Sequence, residues 1–441
     1  MFKTLANAWK LPDLRKKLIF TVLILLVYRV ANAITVPFVE TEAMVEYFTN
    51  SRLDNTVLGL FNAMSGYGYS RASILALGIQ PYINASIIIQ LLTIAIPALE
   101  RLAKEEGEAG KKKIERITRY STVGLGILMG IVYYTIVRNA QGGGILMESG
   151  RGVWGAIVIV LAFAAGSSVV MWLGEQITEH GIGNGISMIL FANILASLPQ
   201  MLGTMATAMW PSKWWMILIV AVVLLLLVVF IVFINDAERR IPIQYAKRVV
   251  GRKVYGGQNT NLPIKVSMSG VMPVIFASSI ATVPGMIFTF YFNANGIEPN
   301  YETGLYGNFW YDYIFSPNCW VYVIGFAVLI FFFSWFYSTI QYDPVEIANN
   351  LKKNGGFIPG FRPGKPTADF IKKVINKILV FGAFYLAIVA LLPQIGGILA
   401  REISALAIGG TSVMIVVGVA LETVKALEAQ MLMRHYKGFL D

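Results

Sequence analysis

The sequence is poor in the residues that carry out chemistry. Its 441 residues include one cysteine, Cys319, and two histidines, His180 and His435. No disulfide can form within the chain, and a metal centre built from Cys and His has too few ligands. Charged residues make up only 14%, against roughly 25% in soluble domains, so most of the surface must face something other than water. No GxxxxGK[ST] loop occurs, which leaves the chain without that nucleotide-binding device. The middles of the apolar runs hold almost no Asp, Glu, Lys, Arg or His, the groups that a membrane-embedded protease or transferase needs. Ser278, Ser279 and Ser412 occur there without a base nearby in sequence, and small hydroxyl residues in spans are usually helix-packing contacts. No catalytic residue and no cofactor are expected.

What is present is hydrophobicity in long blocks. Hydrophobic residues reach 56% and the mean hydropathy is +0.63. A stretch such as 217–234 is apolar on every side, unlike an amphipathic surface helix. A span of the hydrocarbon core takes about 20 mostly apolar residues. That template predicts ten spans, near 18–37, 74–97, 120–137, 153–173, 185–203, 214–234, 270–291, 319–340, 374–393 and 403–424. The second, fifth and tenth are the least uniformly apolar, with Gln80, Asn84, Gln90, Asn193 and several glycines, so they are expected to face protein or water. The first run follows Lys3, Lys10, Arg15, Lys16 and Lys17 with no small-residue cleavage site behind it, and it reads as a retained span.

The basic residues orient the bundle. With the N-terminus inside, 29 of the 36 Lys and Arg fall in inside segments and 6 outside, Arg29 lying within the first span. Both termini are therefore expected on the cytoplasmic side of the cell membrane, and the net charge of +11 needs no nucleic-acid partner. Two inside loops, 235–269 and 341–373, are long and basic. Their Gly, Pro and aromatic content (Tyr255, Gly256, Gly257; Phe357 to Phe361) argues for ordered, partner-binding tips over inert linkers. Segment 292–318, outside and without Lys or Arg, reads as a solvated cap.

Three features suggest a partly hollow bundle. Segment 58–73 is apolar enough to enter the membrane but too short to cross, and Gly59, Gly66 and Gly68 punctuate it. It reads as a re-entrant piece, tolerated at membrane depth only within protein or beside a cavity. Ile83 with Ile87, and Ile186 with Leu190, sit four apart on mixed-polarity helices; each pair shares a helical face, and apolar constrictions can gate a wet path. Gly181, Gly183, Gly185, Gly409 and Gly410 let helices approach or bend, with plain packing the equal alternative. From the residues alone, a channel, a secondary transporter for a small solute and a catalytically silent assembly scaffold all stay open.

Seven strings, in order, resemble the SecY family of bacterial protein-conducting channels: SRASILALGIQPYINASIIIQLL (70–92), GIGNGIS (181–187), ERRIPIQYAKR (238–248), MPVIFASSI (272–280), GGFIPGFRPG (355–364), GGTS (409–412) and ETVKALEAQ (422–430). The resemblance implies an all-α membrane protein of ten transmembrane helices in two pseudo-symmetric five-helix halves, 1–205 and 206–441, with a short re-entrant plug helix within 57–72. It further implies a pore ring of Ile83, Ile87, Ile186, Leu190, Ile275 and Ile415, and a plug that includes Leu60, Phe61, Asn62, Met64 and Ser65. Ser86, Ser278 and Ser279 would border a lateral gate. Arg248, Arg252 and Arg362 on the two tips would dock the SecA motor ATPase and the ribosome. SecE-like and SecG-like small subunits, a translocating polypeptide with its signal sequence, and membrane lipid are the other implied partners.

Overall fold

The computed structural model describes residues 2–50, 57–104, 106–139, 145–209, 214–245, 248–250, 253–255, 259–268, 270–295, 297, 307–316, 319–399 and 404–437. A short amphipathic helix, α1 (Phe2–Lys10), leads into α2 (Pro12–Ala31), which starts with Pro12 in its first turn, where the missing N–H costs nothing. After α3 (Thr41–Asn50) and α4 (Val57–Met64) come α5 (Gln80–Ala95), α6 (Pro97–Lys104), α7 (Gly107–Asn139), α8 (Val153–His180), α9 (Gly185–Met209) and α10 (Trp214–Asp236). Strands β1 (Glu238–Tyr245), β2 (Arg248–Val250), β3 (Lys253–Tyr255) and β4 (Asn259–Lys265) precede α11 (Met272–Ala294) and α12 (Trp320–Gln341). The chain ends with α13 (Pro344–Lys353), β5 (Gly356–Phe357), α14 (Lys365–Leu399) and α15 (Ser404–Lys437).

Each of the ten expected spans overlaps a helix, α2, α5, α7 to α12, α14 and α15, though α2 ends at Ala31, short of the expected 37. Among the described residues, six helices are long and apolar enough to cross a membrane, or seven if α5 and α6 count as one broken span. The second span differs from its expected 74–97. Residues 65–79 are turns and α5 begins only at Gln80, with Pro81 in its first turn fixing the start. At its other end Ile96 is extended, as a residue before proline prefers, and the chain swings by 106° into α6.

Small residues set the closest helix contacts. Gly126 and Gly130, four apart on α7, face α8; a Cβ at Gly126 would come within 2.7 Å of Ser167 Oγ. Where lipid cannot drive helices together, such close backbone approach supplies the packing. At the end of this pair Arg119 donates to Glu175 at 2.8 Å, and that bond raises the guanidinium's pKa further. The largest buried cluster draws side chains from α2, α5, α8, α9, α10, α11, α12, α14 and α15. A second joins α3 and α4 to α7 and α8.

The two basic loops form one body. β1 pairs antiparallel with β4 from Glu238↔Lys265 to Gln244↔Asn259, and on its other edge with β5 through Gln244↔Phe357 and Tyr245↔Gly356. Beneath this β4–β1–β5 sheet, Ile243 and Ile264 pack with Leu351, Ile358, Ile371 and Ile375. Asp343 caps α13 by accepting from the backbone N–H groups of Val345 and Glu346, satisfying donors that a helix start leaves free. Burial in this core pushes the Tyr342 hydroxyl up in pKa. The tips are thus mostly helix and sheet, a strand content that hydropathy alone does not reveal.

Candidate functional site: a buried waist and its plug

The six aliphatic residues expected at the waist lie in one cluster fed by α5, α9, α11 and α15. Ile83, Ile87, Leu190, Ile275 and Ile415 are buried there and Ile186 is half-buried against it. The spacing of four puts Ile83 with Ile87, and Ile186 with Leu190, on one face of their helices. No group of His, Cys, Asp and Glu able to hold a metal occurs among the described residues.

The helix within the segment expected as the plug is α4, eight residues long, and it touches α9, α11 and α15. Phe61 is buried and stacks on Tyr69 with centroids 6.3 Å apart. Leu60 lies in α4, but its side chain is outside the described residues. The expected plug extends to 72; the helix stops at Met64, and a Schellman ending shows why. Tyr67 N donates to Asn62 O at 2.9 Å and Gly66 N to Ala63 O at 3.1 Å, with Gly66 at φ +64°, the left-handed conformation that glycine adopts without strain. A Cβ on Gly66 would also meet the Arg29 guanidinium at 2.7 Å.

The remaining polar groups at this end are met by side chains from the surrounding helices. Asn193 on α9 donates through Nδ2 to Met64 O at 3.0 Å, and Asn32, just after α2, donates to Ser65 O at 3.3 Å. Gln80 at the head of α5 donates to Met64 Sδ at 3.1 Å. Inside the turn, Ser65 Oγ donates to Asn62 O and accepts from Tyr69 N, each at 3.0 Å, while Asn62 Oδ1 accepts from Ser70 N at 2.9 Å. A polar recess of about 180 Å³ adjoins the turn, lined by Arg29, Asn32, Gly66, Tyr67, Arg71 and Gln200. Non-helical backbone thus sits among protein partners and beside a cavity, as backbone at membrane depth must.

Of the three gate serines, one bridges helices. Ser279 on α11 is buried and donates to Gln80 Oε1 at 3.4 Å, so Gln80 touches both the plug and α11. Ser278 turns back onto Ile275 O at 2.9 Å, and Ser86 accepts from Gln90 Nε2 at 3.3 Å within α5. α11 contacts both α5 and α7 along this seam. Gln80, Asn193 and Asn32 were not among the expected site residues. Gln80 and Asn193 did stand out as polar groups in apolar spans, the available signal. Asn32 gave none.

On the tips, Arg362 is exposed in the turn between β5 and α14, between Gly360 at φ +89° and Gly364 at φ +109°. Its carbonyl accepts from Thr367 Oγ1 at 2.8 Å, and next to it Phe361 packs on Phe370 with centroids 4.2 Å apart. Arg248 lies on β2 opposite Tyr255 of β3, its side chain outside the described residues, and Arg252 is wholly outside them.

Comparison with known proteins bears on this arrangement. The family model for SecY matches residues 73–424. The chain is 41% identical over 457 residues to the protein translocase subunit SecY of Streptomyces galbus and 39% identical over 465 residues to that of Mycobacterium tuberculosis, covering 100% of each pair. Among solved structures it resembles a protein-conducting channel with a TM-score of 0.62 at 19% identity, and Sec61 in a canine ribosome–channel complex with 0.59 at 16%; each match covers 95% of this chain and 92% of the other.

Removing the plug's anchor is a direct check on this geometry. In Asn193→Ala the Met64 carbonyl loses its donor, a cost of about 1–3 kcal/mol. In a Cys319→Ser background, maleimide modification of Ala63→Cys should then speed up roughly tenfold, since about 1.4 kcal/mol is tenfold in an equilibrium. An unchanged rate would show that Asn193 does not hold the plug.

Proposed function

The chain belongs to the SecY family, and on that premise we propose that its buried waist is the closed seal of a polypeptide-conducting path. As a member it is a multi-pass membrane protein that acts as a protein-translocation channel. The observation that carries the site assignment is the gathering of six branched aliphatic residues from four helices in one apolar cluster, five buried and Ile186 half-buried, next to a short helix whose end accepts from neutral amides. Branched aliphatic side chains exclude water from a narrow path yet form no directional bond to whatever replaces the plug. A chain in transit is thus gripped loosely, and ion leak stays low.

The plug's anchors suit a part that must leave. Three amide contacts hold its end, each worth on the order of 1 kcal/mol net, so they are strong enough to favour closure and weak enough to be displaced. Gln80 contacts the plug and Ser279 of α11, which supports a seam between α5 with α7 and α11 as the lateral gate. A hydrophobic segment in an open seam moves into lipid because apolar area leaves water, at roughly 25 cal/mol per Å². Unfolded secretory proteins take the axial route.

The joined tips serve as the docking surface, on the cytoplasmic side with both termini. Arg362 stands exposed on a turn whose backbone is fixed by Thr367. A guanidinium pairs bidentately with carboxylates or with phosphates, which fits both a motor protein and ribosomal RNA. Arg248 and Arg252 complete the surface on the other tip. Energy comes from the SecA motor or the ribosome, and SecE-like and SecG-like subunits brace the two halves, 1–205 and 206–441.

Two substitutions test this reading. Ile83→Asn with Ile87→Asn should wet the waist, raising ion leak in proteoliposomes and loosening the discrimination between chains with and without signal sequences; if both stay at the wild-type level, the waist lies elsewhere. Arg362→Glu should impair motor-driven export while membrane insertion and thermal stability hold. A loss of stability instead would make Arg362 a structural residue.

A further inference from the structure

The segment between α11 and α12 reads from its sequence as a solvated cap, but its described part is built otherwise. Residues 309–315 are helical, with the wider π geometry at Tyr311–Phe315. One face packs inward onto α11: Tyr311, buried, meets Phe292 edge-on at 5.8 Å, and Phe315 stacks on Phe288 at 5.3 Å. The other face presents Phe309, Trp310 and Tyr313, which are 65%, 60% and 62% exposed, the Phe309 and Tyr313 rings lying 5.3 Å apart. Three large aromatic side chains exposed side by side call for a partner surface.

The position of this face says which surface it is. Cys319 Sγ donates to Tyr313 O at 2.6 Å and Cys319 N to Ser316 O at 3.1 Å, which ties the segment to the first turn of α12. From that turn α12 carries Trp320, Val321, Ile324 and Val328, all at least half exposed, at the helical spacing that makes a single stripe. On a spanning helix such a stripe faces lipid, and the aromatic face continues it beyond the helix end. α11 leaves the sheet-bearing tips after β4, and α12 returns to them before α13. The segment therefore lies at the opposite end of the bundle. Residues 292–318 contain no Lys or Arg, and Trp and Tyr, with apolar bodies and polar tips, favour the membrane–water boundary.

We infer that residues 307–316 form an interfacial foot that inserts Phe309, Trp310 and Tyr313 among the phospholipid headgroups of the leaflet away from the tips. Because Phe288 and Phe292 of α11 pack on its inner face, the foot fixes the depth of that end of α11 in the bilayer. This rests on the chain's being a membrane protein, and it stands or falls independently of the waist and the plug.

Spin-label accessibility tests it in the full-length protein, reconstituted into vesicles of phosphatidylethanolamine and phosphatidylglycerol. The background is Cys319→Ser, which removes the one native thiol and keeps a donor for the Tyr313 carbonyl. Labels at Trp310→Cys and, separately, Tyr313→Cys are compared with Ile324→Cys as a hydrocarbon reference and Lys112→Cys as an aqueous one. Both foot positions should gain oxygen collisions and lose access to a nickel chelate relative to Lys112→Cys, without reaching the Ile324→Cys values. Nickel access equal to that of Lys112→Cys would make the segment a solvated cap and overturn the inference. Exclusion of both reagents would also overturn it, by showing a covering protein surface in place of lipid.

Discussion

A helix that ends inside a membrane protein leaves carbonyl groups in need of donors, and α4, the proposed plug, is shaped by that constraint. α4 is eight residues long and ends within the bundle. Gly66 closes the helix with a Schellman turn, and Asn193 and Asn32 take carbonyls at that end. Each donor comes from a different part of the surrounding wall, so the plug fits only while α2 and α9 hold their places. Satisfying these groups with neutral amides gives moderate bonds that can be exchanged. Charged partners would lock the plug or leave an unpaired ion when it moved.

Around this the division of labour is plain in chemical terms. The proposed waist would use shape and apolar surface, from Ile83, Ile87, Leu190, Ile275 and Ile415 with Ile186 at the edge. At the proposed gate, the polar contact between α5 and α11 among the described residues is that of Ser279 with Gln80, and the rest of their contact is apolar. The sheet of the tips and the core of Ile243, Ile264, Ile358 and Ile371 form one packed unit from which, on the proposed reading, exposed Arg362 would meet a partner.

Much of this was legible in the sequence, because apolar block length and loop charge are local and additive. Segment 214–234 is so apolar that its helix, α10, could hardly be misread. The six residues proposed for the waist were singled out together only through the family resemblance, since an Ile pair four apart looks the same in a pore, a core or a lipid face. The start of α5 was misread because Ile74, Leu75, Ala76 and Leu77 continue the apolar run, while the turn through Gly78 at φ +54° and Pro81 delays the helix. The union of the tips was not legible. It depends on a two-residue strand, β5, pairing across more than a hundred residues with β1, and no local pattern encodes that register. The solvated-cap reading of 292–318 rested on its lack of Lys and Arg, whereas among its described residues Tyr311 and Phe315 pack on α11 and Phe309, Trp310 and Tyr313 face outward.

The central claim is that a polypeptide passes through the apolar cluster that holds Ile83, Ile87, Ile186 and Leu190. The most direct measurement places a photoreactive group at Ile87 in membranes carrying the protein and supplies a stalled chain with a signal sequence. A crosslink to the chain that appears only during translocation is the predicted result. The absence of any crosslink at Ile87 or Ile186, with a control position elsewhere in the protein reacting normally, would contradict it.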